Sequence, residues 1–526
     1  MIRRVLLRRL SLGLAISLAF SGCAVGPNFK SPMPPPTAGN LYGSAALPTT
    51  TAAATGTDVG NTGIAQHIVY GQELPAQWWA LFHSESLDQL IRSALQQNPT
   101  LASAQASLRQ AKENFNAETG SLQYPNVNGQ LGATRERAQL YNATPSDFNL
   151  YNASVNVSYT VDVFGASRRQ LESLMAAVDY QQFELEAAYQ MLVSNVVTTA
   201  IKEASLRAQL QATQSVLEAQ QKQLDIIEKQ LALGAVTRSV KLTQSTLVAQ
   251  TQAQMAPLEK SLAQTRHQLA VYVGKLPSES GLPEFQLDSL QLPQDLPVSL
   301  PSALVRQRPD IRASEALLHE ASAQLGVATA NQYPQINLTG SFAVERVQLG
   351  GLGASSTLWS LGAGLTQSIF DGGSLSAKRR AAEAAYDQTE AQYRWTVLTA
   401  FQNVADNLRA IDADATTLKD QANAESLAKE SLEISQHQYQ LGGINYLTLL
   451  DAERSYQQAY INLVVAQSAR LTDTAALFVS LGGGWWNRPA EEDGSTTKKP
   501  LGKVRIPEVV PGLSKLYQLS KPVTKL

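Results

Sequence analysis

The sequence predicts a mixed α and β fold in which one module, a β-hairpin followed by a very long α-helix, occurs twice. Strict apolar–polar alternation runs over residues 151–163. A period of two is typical of a strand with different surroundings on its two faces. Residues 166–233 then contain neither Gly nor Pro, and as one helix they would be roughly 100 Å long.

The second copy of this pattern ends its alternating segment at Phe370-Asp371-Gly372-Gly373 and continues into residues 374–441, again without Gly or Pro. Shorter landmarks also repeat, at an offset of 208 to 210 residues. The matching pairs are Asn98-Pro99 with Arg308-Pro309, Tyr124-Pro125 with Tyr333-Pro334, and Leu233-Gly234 with Leu441-Gly442. We therefore interpret the chain as an internal duplication and predict its fold one repeat at a time.

The amino terminus has the features of an export signal. Four arginines precede an apolar run over residues 10–20, which ends in Ser21-Gly22-Cys23. This pattern predicts a signal peptide over residues 1–22 and is too short for a membrane-spanning helix. No other window reaches 18 consecutive apolar residues. If the mature chain crosses a bilayer, it must therefore do so with strands.

Cys23 is the only cysteine of the chain, so no disulfide can form within it. The residue resembles the lipobox cysteine of bacterial lipoproteins, which becomes the lipidated first residue of the mature protein. The resemblance implies a covalent lipid on Cys23, N-palmitoyl and S-diacylglycerol, as a membrane anchor. The non-acidic Ala24 implies sorting to the outer membrane. The alternative is an incidental free thiol.

Repeat 1 is predicted over residues 99–275. Its elements, in order, are a helix over 100–119, a hairpin over about 126–164, the long helix over 166–233 and a return helix over 237–272. The hairpin combines the weak alternation after Val127 with the strong strand from Tyr151. Pro257 predicts a kink in the return helix. Since the two shorter helices together nearly match the long one, each repeat should form two columns of equal height.

Repeat 2 is predicted over residues 309–481. Its elements are a helix over 311–332, a hairpin over about 335–370, the long helix over 374–441 and a return helix over 446–481. A proline-rich connector, 276–308, joins the repeats, residues 23–98 precede them and 482–526 follow. Residues 24–71 are rich in Pro, Thr, Ala and Gly and are expected to be extended or flexible.

Four strands per chain cannot close a membrane sheet. A sheet in lipid leaves no edge unpaired, and membrane barrels begin at about eight strands. The strands, of roughly 11 to 13 residues, are long enough for a tilted crossing of the hydrocarbon layer. In such a crossing Val and Tyr would face lipid, and Asn, Ser and Thr would face water. Several chains are therefore expected to share one barrel. The narrow apolar stripe of the helices fits a tube wall one helix thick.

Short motifs are spread over both repeats. They are Cys23-Ala-Val-Gly-Pro-Asn-Phe, Trp78-Trp79-Ala-Leu-Phe, Asn98-Pro99, Tyr124-Pro125, Val163-Phe164-Gly165, Arg308-Pro309-Asp310-Ile311-Arg312, Ile369-Phe370-Asp371-Gly372-Gly373 and Asn445-Tyr446-Leu447-Thr448-Leu449-Leu450-Asp451-Ala452. In these motifs the chain, from about residue 23 to residue 486, resembles the outer-membrane factor (TolC/OprM-like) efflux lipoproteins of tripartite RND-type systems.

The resemblance implies a homotrimer with a 12-stranded outer-membrane β-barrel continuous with a periplasmic α-helical barrel. Residues 23–98, 276–308 and 482–526 would form an equatorial belt, although the extension from residue 490 has no assigned role. The implied function is a passive exit duct for drugs or other small toxic compounds. It would work with a periplasmic adaptor (membrane fusion protein) and an inner-membrane RND-type pump. A type I secretion duct for polypeptides stays open, as does a structural coiled-coil envelope lipoprotein.

Leu447, Asp451 and Arg454 follow the turn of repeat 2, so three copies would surround the tube end farthest from the barrel. By themselves they are an apolar contact and an Asp–Arg pair on a helix surface. The resemblance implies that Leu447 and Asp451 form a periplasmic gate of one apolar ring and one carboxylate ring. Ser239 and Thr243, at the matching positions of repeat 1, are uncharged, so one carboxylate ring per trimer is expected.

Gly234, Gly442 and Gly443 are predicted to allow tight reversals between helices. They can be read as ordinary helix C-caps. The resemblance adds that the periplasmic adaptor docks on these helical tips.

Catalysis finds little support in the sequence. The five histidines are scattered without metal-ligand spacing, and there is no nucleophile elbow, phosphate loop or dinucleotide fingerprint. The net charge is −2 and the sequence has no basic blocks, so it does not predict a basic surface for nucleic acid. We expect no enzyme activity, no metal, no cofactor besides the lipid on Cys23 and no nucleic-acid partner.

Overall fold

The computed structural model of the protein describes residues 24–34, 48–56, 58–138, 146–279, 281–349 and 352–488. The chain divides into two compact units, Met1–Trp486 and Asn487–Leu526. Only residues 487 and 488 of the second unit are described. The predicted signal peptide, Cys23 and the extension from residue 490 lie outside the described residues.

The described chain contains two copies of a hairpin, a long helix and a return helix. The helices are α1 (Glu85–Gln97), α2 (Pro99–Gln123), α3 (Ala166–Ala232), α4 (Arg238–Tyr272), α5 (Pro301–Gln307), α6 (Pro309–Ala330), α7 (Ser374–Gln440) and α8 (Tyr446–Ser480). The strands are β1 (His67–Tyr70), β2 (Asn126–Ala138), β3 (Ser146–Val161), β4 (Asp295–Val298), β5 (Gln335–Leu349) and β6 (Leu352–Thr366).

The long helices α3 and α7 have 67 residues each, and the return helices α4 and α8 have 35 each. Both long helices start after a glycine at positive φ, Gly165 at +87° and Gly373 at +86°, a conformation that side chains other than hydrogen disfavour. Helix α4 continues through Pro257, and the kink there stays a prediction. None of the described helices combines the length and the apolar character that a membrane crossing requires.

Helix contacts follow the predicted two columns. Helix α3 packs along α2 and α6 on the side of the strands, and along α4 and α8 beyond them. Helix α7 packs along α6 and then α8. Each long helix is therefore lined by a short helix and a return helix in succession.

The strands β2, β3, β5 and β6 form one antiparallel sheet in that order. They have 13 to 16 residues, and β3, β5 and β6 are longer than predicted. Strand β3 begins at Ser146, before the alternating stretch, because Arg135 and Arg137 of β2 pair with Asp147 across the ladder at 3.5 and 3.8 Å. Polar pairs thus extend the hairpin where the apolar pattern has ended. At their other ends β3 and β6 stop at Val161 and Thr366, before the predicted Val163 and Ile369.

Segments outside the repeats pack on the middle of the long helices. Trp78, Phe82 and Phe285 are buried in one core with Phe478 of α8 and residues 192–204 of α3. Strand β1 pairs in parallel with β4 of the connector. Residues 24–71 were expected to be extended or flexible. The flexible alternative does not hold for the described carboxyl-terminal part, because Thr51 and Thr62 are buried and accept hydrogen bonds from Arg470 of α8.

Candidate functional site

One face of the four-stranded sheet is apolar and exposed. The register aligns Val155 with Phe342 and Phe342 with Trp359. These side chains are 47%, 53% and 73% exposed. In a sheet that faces water on one side, the apolar face is the one that packs on the core. Here the apolar face has no such cover within the described protomer.

The opposite face of the sheet is polar. It carries the row Asn156, Ser341 and Ser360, in which the two serine hydroxyls lie 2.8 Å apart. Thr160 donates a hydrogen bond to Asn337 on the same face at 2.8 Å. The sheet therefore separates an apolar side from a hydrogen-bonding side.

The helical tips end in similar turns in both repeats. Gly234 and Gly442 have φ of +75° and +76°, and each donates its N–H to a carbonyl three residues earlier, at 3.0 Å. The next residues, Ala235 and Gly443, donate to carbonyls five residues earlier at 2.8 Å. This pattern is a Schellman motif, in which only the first glycine needs positive φ. Gly443 has no such requirement.

The predicted gate residues share one exposed face of α8. Leu447 is 61% exposed, and Asp451 and Arg454 are exposed as well. Their spacing of four and three residues places them above one another on the helix. The alternative expectation, an Asp451–Arg454 ion pair, does not occur, since the described ion pairs include none between these residues.

A buried cluster behind the predicted gate residues fixes how α8 is rotated. Tyr446, Leu449 and Leu450 pack against Ile227 of α3 and Leu247 of α4. Since Tyr446 directly precedes Leu447, turning the tyrosine inward turns the leucine outward.

Hydrogen bonds connect the same cluster to both helices of repeat 1. The Tyr446 hydroxyl donates to Gln244 Oε1, and Gln244 Nε2 donates to the Gln220 carbonyl at 2.7 Å. Burial raises the pKa of Glu453, which follows Tyr446 by about two helical turns, to about 7. Sequence reasoning missed Gln244, because a glutamine in a glutamine-rich helix carries no distinguishing pattern.

The amino-terminal segment is fixed at the junction between strands and helices. Val25 N–H donates to the Phe164 carbonyl at 3.1 Å, and Arg169 donates to Asn28 Oδ1 at 2.6 Å. Ala24 contacts Gly165 so closely that a side chain there would collide with it. The described chain therefore begins beside the first residue of α3.

A second group of contacts holds the same segment on α6. Phe29 stacks on His319, with ring centroids 4.4 Å apart, and His319 Nε2 lies 2.9 Å from Glu172 Oε1. Burial raises the pKa of Glu172, but hydrogen bonds with His319 and Arg169 outweigh it and hold the pKa below its usual value. Within the described ranges, no group of three or more His, Cys, Asp or Glu could hold a metal ion.

Comparison with known proteins gives the family. The model of the outer membrane efflux protein family matches residues 90–275 and 300–483. The chain is 30% identical to the pyoverdine export outer membrane protein OpmQ of Pseudomonas aeruginosa, over 78% of this chain and 87% of that protein. It is 29% identical to the cation efflux system protein CusC of Escherichia coli, over 90% of this chain and 98% of that protein.

A solved structure of the outer-membrane channel OprN has the same fold. It superposes with a TM-score of 0.76 at 26% identity and covers 88% of this chain and 100% of OprN. The fold, the family match and the two relatives agree with the resemblance seen in the motifs. The chain belongs to the outer membrane efflux protein family, and it is a protein of the outer membrane of Gram-negative bacteria.

Proposed function

We propose that the chain is the exit duct of a tripartite efflux pump. It passively conducts drugs or other small toxic compounds that an inner-membrane RND-type transporter and a periplasmic adaptor deliver. Membership of the efflux family and relatives named for pyoverdine export and for cation efflux support this function. The duct itself carries out no chemistry.

The observation that carries the proposal is the exposed apolar face of a sheet with two free edges. Strands β2 and β6 each pair on one side only, and open edges are excluded from lipid. Three copies that join β6 to the neighbouring β2 give a closed 12-stranded barrel. Its apolar side then faces lipid and its polar side lines the pore.

The outer side of α7 supports the same assembly. This helix packs on α6 and α8 through one face, and its other face exposes four large apolar side chains: Trp395, Leu398, Leu427 and Ile434, at 49% to 65%. Exposed apolar surface of this extent is typical of an interface. A second copy of the chain covers it when the helices close into a tube.

Two neighbouring substitutions test the barrel. Val155→Lys places a charge on the lipid side, where a lysine costs about 2–4 kcal/mol at mid-membrane, so assembly in the outer membrane should fall sharply. Asn156→Lys places the same charge in the pore and should leave assembly intact while shifting ion selectivity in planar bilayers. Equal tolerance of both lysines contradicts the barrel and favours a structural envelope lipoprotein.

The exposed face of Leu447, Asp451 and Arg454 is proposed as the periplasmic gate. In a trimer the three leucines form an apolar constriction and the three aspartates a carboxylate ring, which favours cations. The buried Tyr446 keeps Leu447 on the exposed face of α8, which supports this role.

The tips at Gly234, Gly442 and Gly443 are proposed as the docking site of the adaptor. Leu233 and Leu441, beside these glycines, are 85% and 87% exposed, which gives each tip an apolar contact. Leu233→Asp with Leu441→Asp should abolish drug resistance in cells that hold normal amounts of trimer, measured by growth inhibition and by cross-linking to the adaptor. The pair Ala235→Ser with Thr448→Ser is the control and should retain resistance.

We also propose that Cys23 carries N-palmitoyl and S-diacylglycerol groups. The attachment of Ala24 beside Gly165, at the strand–helix junction, supports an anchor at the inner surface of the outer membrane. Mass spectrometry of the amino-terminal peptide should find both groups, and Cys23→Ser should lose them. An unmodified cysteine in the mature protein would rule the anchor out.

A further inference from the structure

Helices α7 and α8 meet through two carboxyl groups in their central part. Asp414 of α7 lies within hydrogen-bonding distance of Asp473 of α8. Nearby, Asn407 of α7 donates a hydrogen bond to the Ala476 carbonyl of α8 at 3.1 Å. The acidic pair is therefore part of a continuous helix–helix contact.

Arg470, whose charge acts on Asp414, is bound to other groups. Arg470, fully buried on α8, directs its terminal nitrogens to residues 51–64: Nη1 to the Thr62 carbonyl at 2.6 Å, Nη2 to the Ile64 carbonyl at 2.8 Å and to Thr51 Oγ1 at 3.0 Å. Its Nε atom has no hydrogen-bond partner among the described residues. The guanidinium therefore binds residues 51–64.

Asp414 Oδ2 is buried and receives no hydrogen bond within the described chain. Two ionised carboxylates in contact repel each other, and a buried acceptor without a donor is costly. One proton between the two groups removes both costs, because it neutralises one charge and supplies the missing donor. Burial and then contact with Asp473 together raise the pKa of Asp414 to about 7, against the opposing charge of Arg470.

A second pair lies on the same side of α7. Glu425 is 4% exposed, and its Oε1 has no partner in the described residues. It faces Asp58, which Lys429 binds at 3.0 Å, and Tyr456 and Tyr460 of α8 are close. Burial, followed by the charge of Asp58, raises the pKa of Glu425. Carboxyl contacts therefore occur twice where α7 meets its neighbours.

We propose that Asp414 and Asp473 share one proton, which fastens α8 to α7, so that this contact loosens as the pH rises. A carboxyl group whose pKa is raised in the closed contact stabilises that contact fully below its ordinary pKa of 3.8. The stabilisation is lost as the pH rises to about 7. Helix α8 begins with the proposed gate residues, so a looser contact frees the helix that carries them. That consequence rests on the proposed function, whereas the shared proton does not.

Hydrogen–deuterium exchange of the full-length trimer in detergent tests the proposal without any measurement of transport. Peptides covering residues 405–425 and 465–480 are followed between about pH 5 and pH 8, and the rates are corrected for the intrinsic pH dependence of amide exchange. Protection should fall by up to about tenfold per pH unit and level off above about pH 7.

Matched variants identify the group responsible. Asp414→Asn carries a permanent donor, so its protection should stay high and constant over this pH range. Asp420→Asn, an exposed position of the same helix, should behave as the parent protein. Asp473→Asn repeats the test from α8 if Asp414→Asn does not fold. Protection of the parent protein that is independent of pH, or a pH dependence that survives both asparagine variants, overturns the proposal.

Discussion

The two repeats share one backbone plan and differ in chemistry. Both have a 67-residue helix and a 35-residue return helix, and both turn at a glycine with φ near +75°. Yet the first turns of the return helices carry Ser239 and Thr243 in repeat 1, where repeat 2 has Leu447 and Asp451. The duplication thus preserved the lengths and turns of the helices, while single side chains at the turns differ between the two halves.

The middle of the repeats differs in the same way. In repeat 1 the fully buried Glu203 accepts hydrogen bonds from Arg207 at 2.6 Å, Arg266 at 2.8 Å and Phe285 N–H at 3.2 Å, and so holds the connector. The matching residue of repeat 2 is the buried Ile411. Repeat 2 instead uses Arg470 to hold residues 51–64. A different buried charge therefore attaches each of these two segments: Glu203 holds the connector and Arg470 holds residues 51–64.

The largest functional contrast is expected at the tips. Leu447→Ala with Asp451→Ala removes both proposed rings from all three copies, so conductance in planar bilayers should rise severalfold. The matching pair in repeat 1, Ser239→Ala with Thr243→Ala, should change conductance little. If the two double variants conduct alike, or if neither differs from the parent, the gate is not at Leu447 and Asp451.

The largest stability effect is expected at Glu203. Glu203→Ala removes the buried carboxylate that two arginines and one buried N–H share as acceptor, which costs about 3–5 kcal/mol. Thermal unfolding should shift accordingly, and limited proteolysis should begin to cut residues 276–300.

Ile411→Ala in repeat 2 is the comparison for this experiment. It leaves a cavity that costs about 2–5 kcal/mol but should not expose the connector to protease. Cleavage of the connector in both variants, or in neither, would show that Glu203 does not hold it.

The smallest effect on stability is expected where the short helix and the return helix of a repeat meet. Asn98 donates to the Tyr272 carbonyl at 2.9 Å and accepts from the N–H of Thr100 at 2.8 Å. In repeat 2, Arg308 makes the matching bond to the Ser480 carbonyl, also at 2.9 Å, without a side-chain cap.

Variants of Asn98 separate its two roles. Asn98→Ala loses both the cap and the bond to Tyr272 and should cost about 1 kcal/mol. Asn98→Asp keeps the acceptor and loses only the donor, so its unfolding temperature should lie between those of the parent and of Asn98→Ala. An aspartate variant as unstable as the alanine variant would assign the stabilisation to the bond with Tyr272.

Local patterns predicted much of the fold. The limits of the long and return helices agree within about two residues with Ala166–Ala232, Arg238–Tyr272, Ser374–Gln440 and Tyr446–Ser480. Glycines and the absence of breakers mark these limits directly. The strand limits were less accurate, because the outer ends of the hairpins are held by ion pairs such as Arg137–Asp147 that leave no alternation in the sequence.

Local patterns could not predict which side chains distant in sequence would come into contact. Tyr446 and Gln244 are 202 positions apart, and Arg470 and Thr51 are 419 apart. The motif around residue 447 pointed to the exposed face proposed as the gate, but nothing in it indicated Gln244 or the Asp414–Asp473 contact. These partners become visible only when the helices lie side by side.

The sequence by itself determined the duplication, the helix limits and the two faces of the sheet, because periodicity and the placement of glycine act over a few neighbouring residues. The tertiary structure alone decided which buried charges and hydroxyls meet. Such groups are stable in the interior only with a partner, and that partner is supplied by the packing of distant helices.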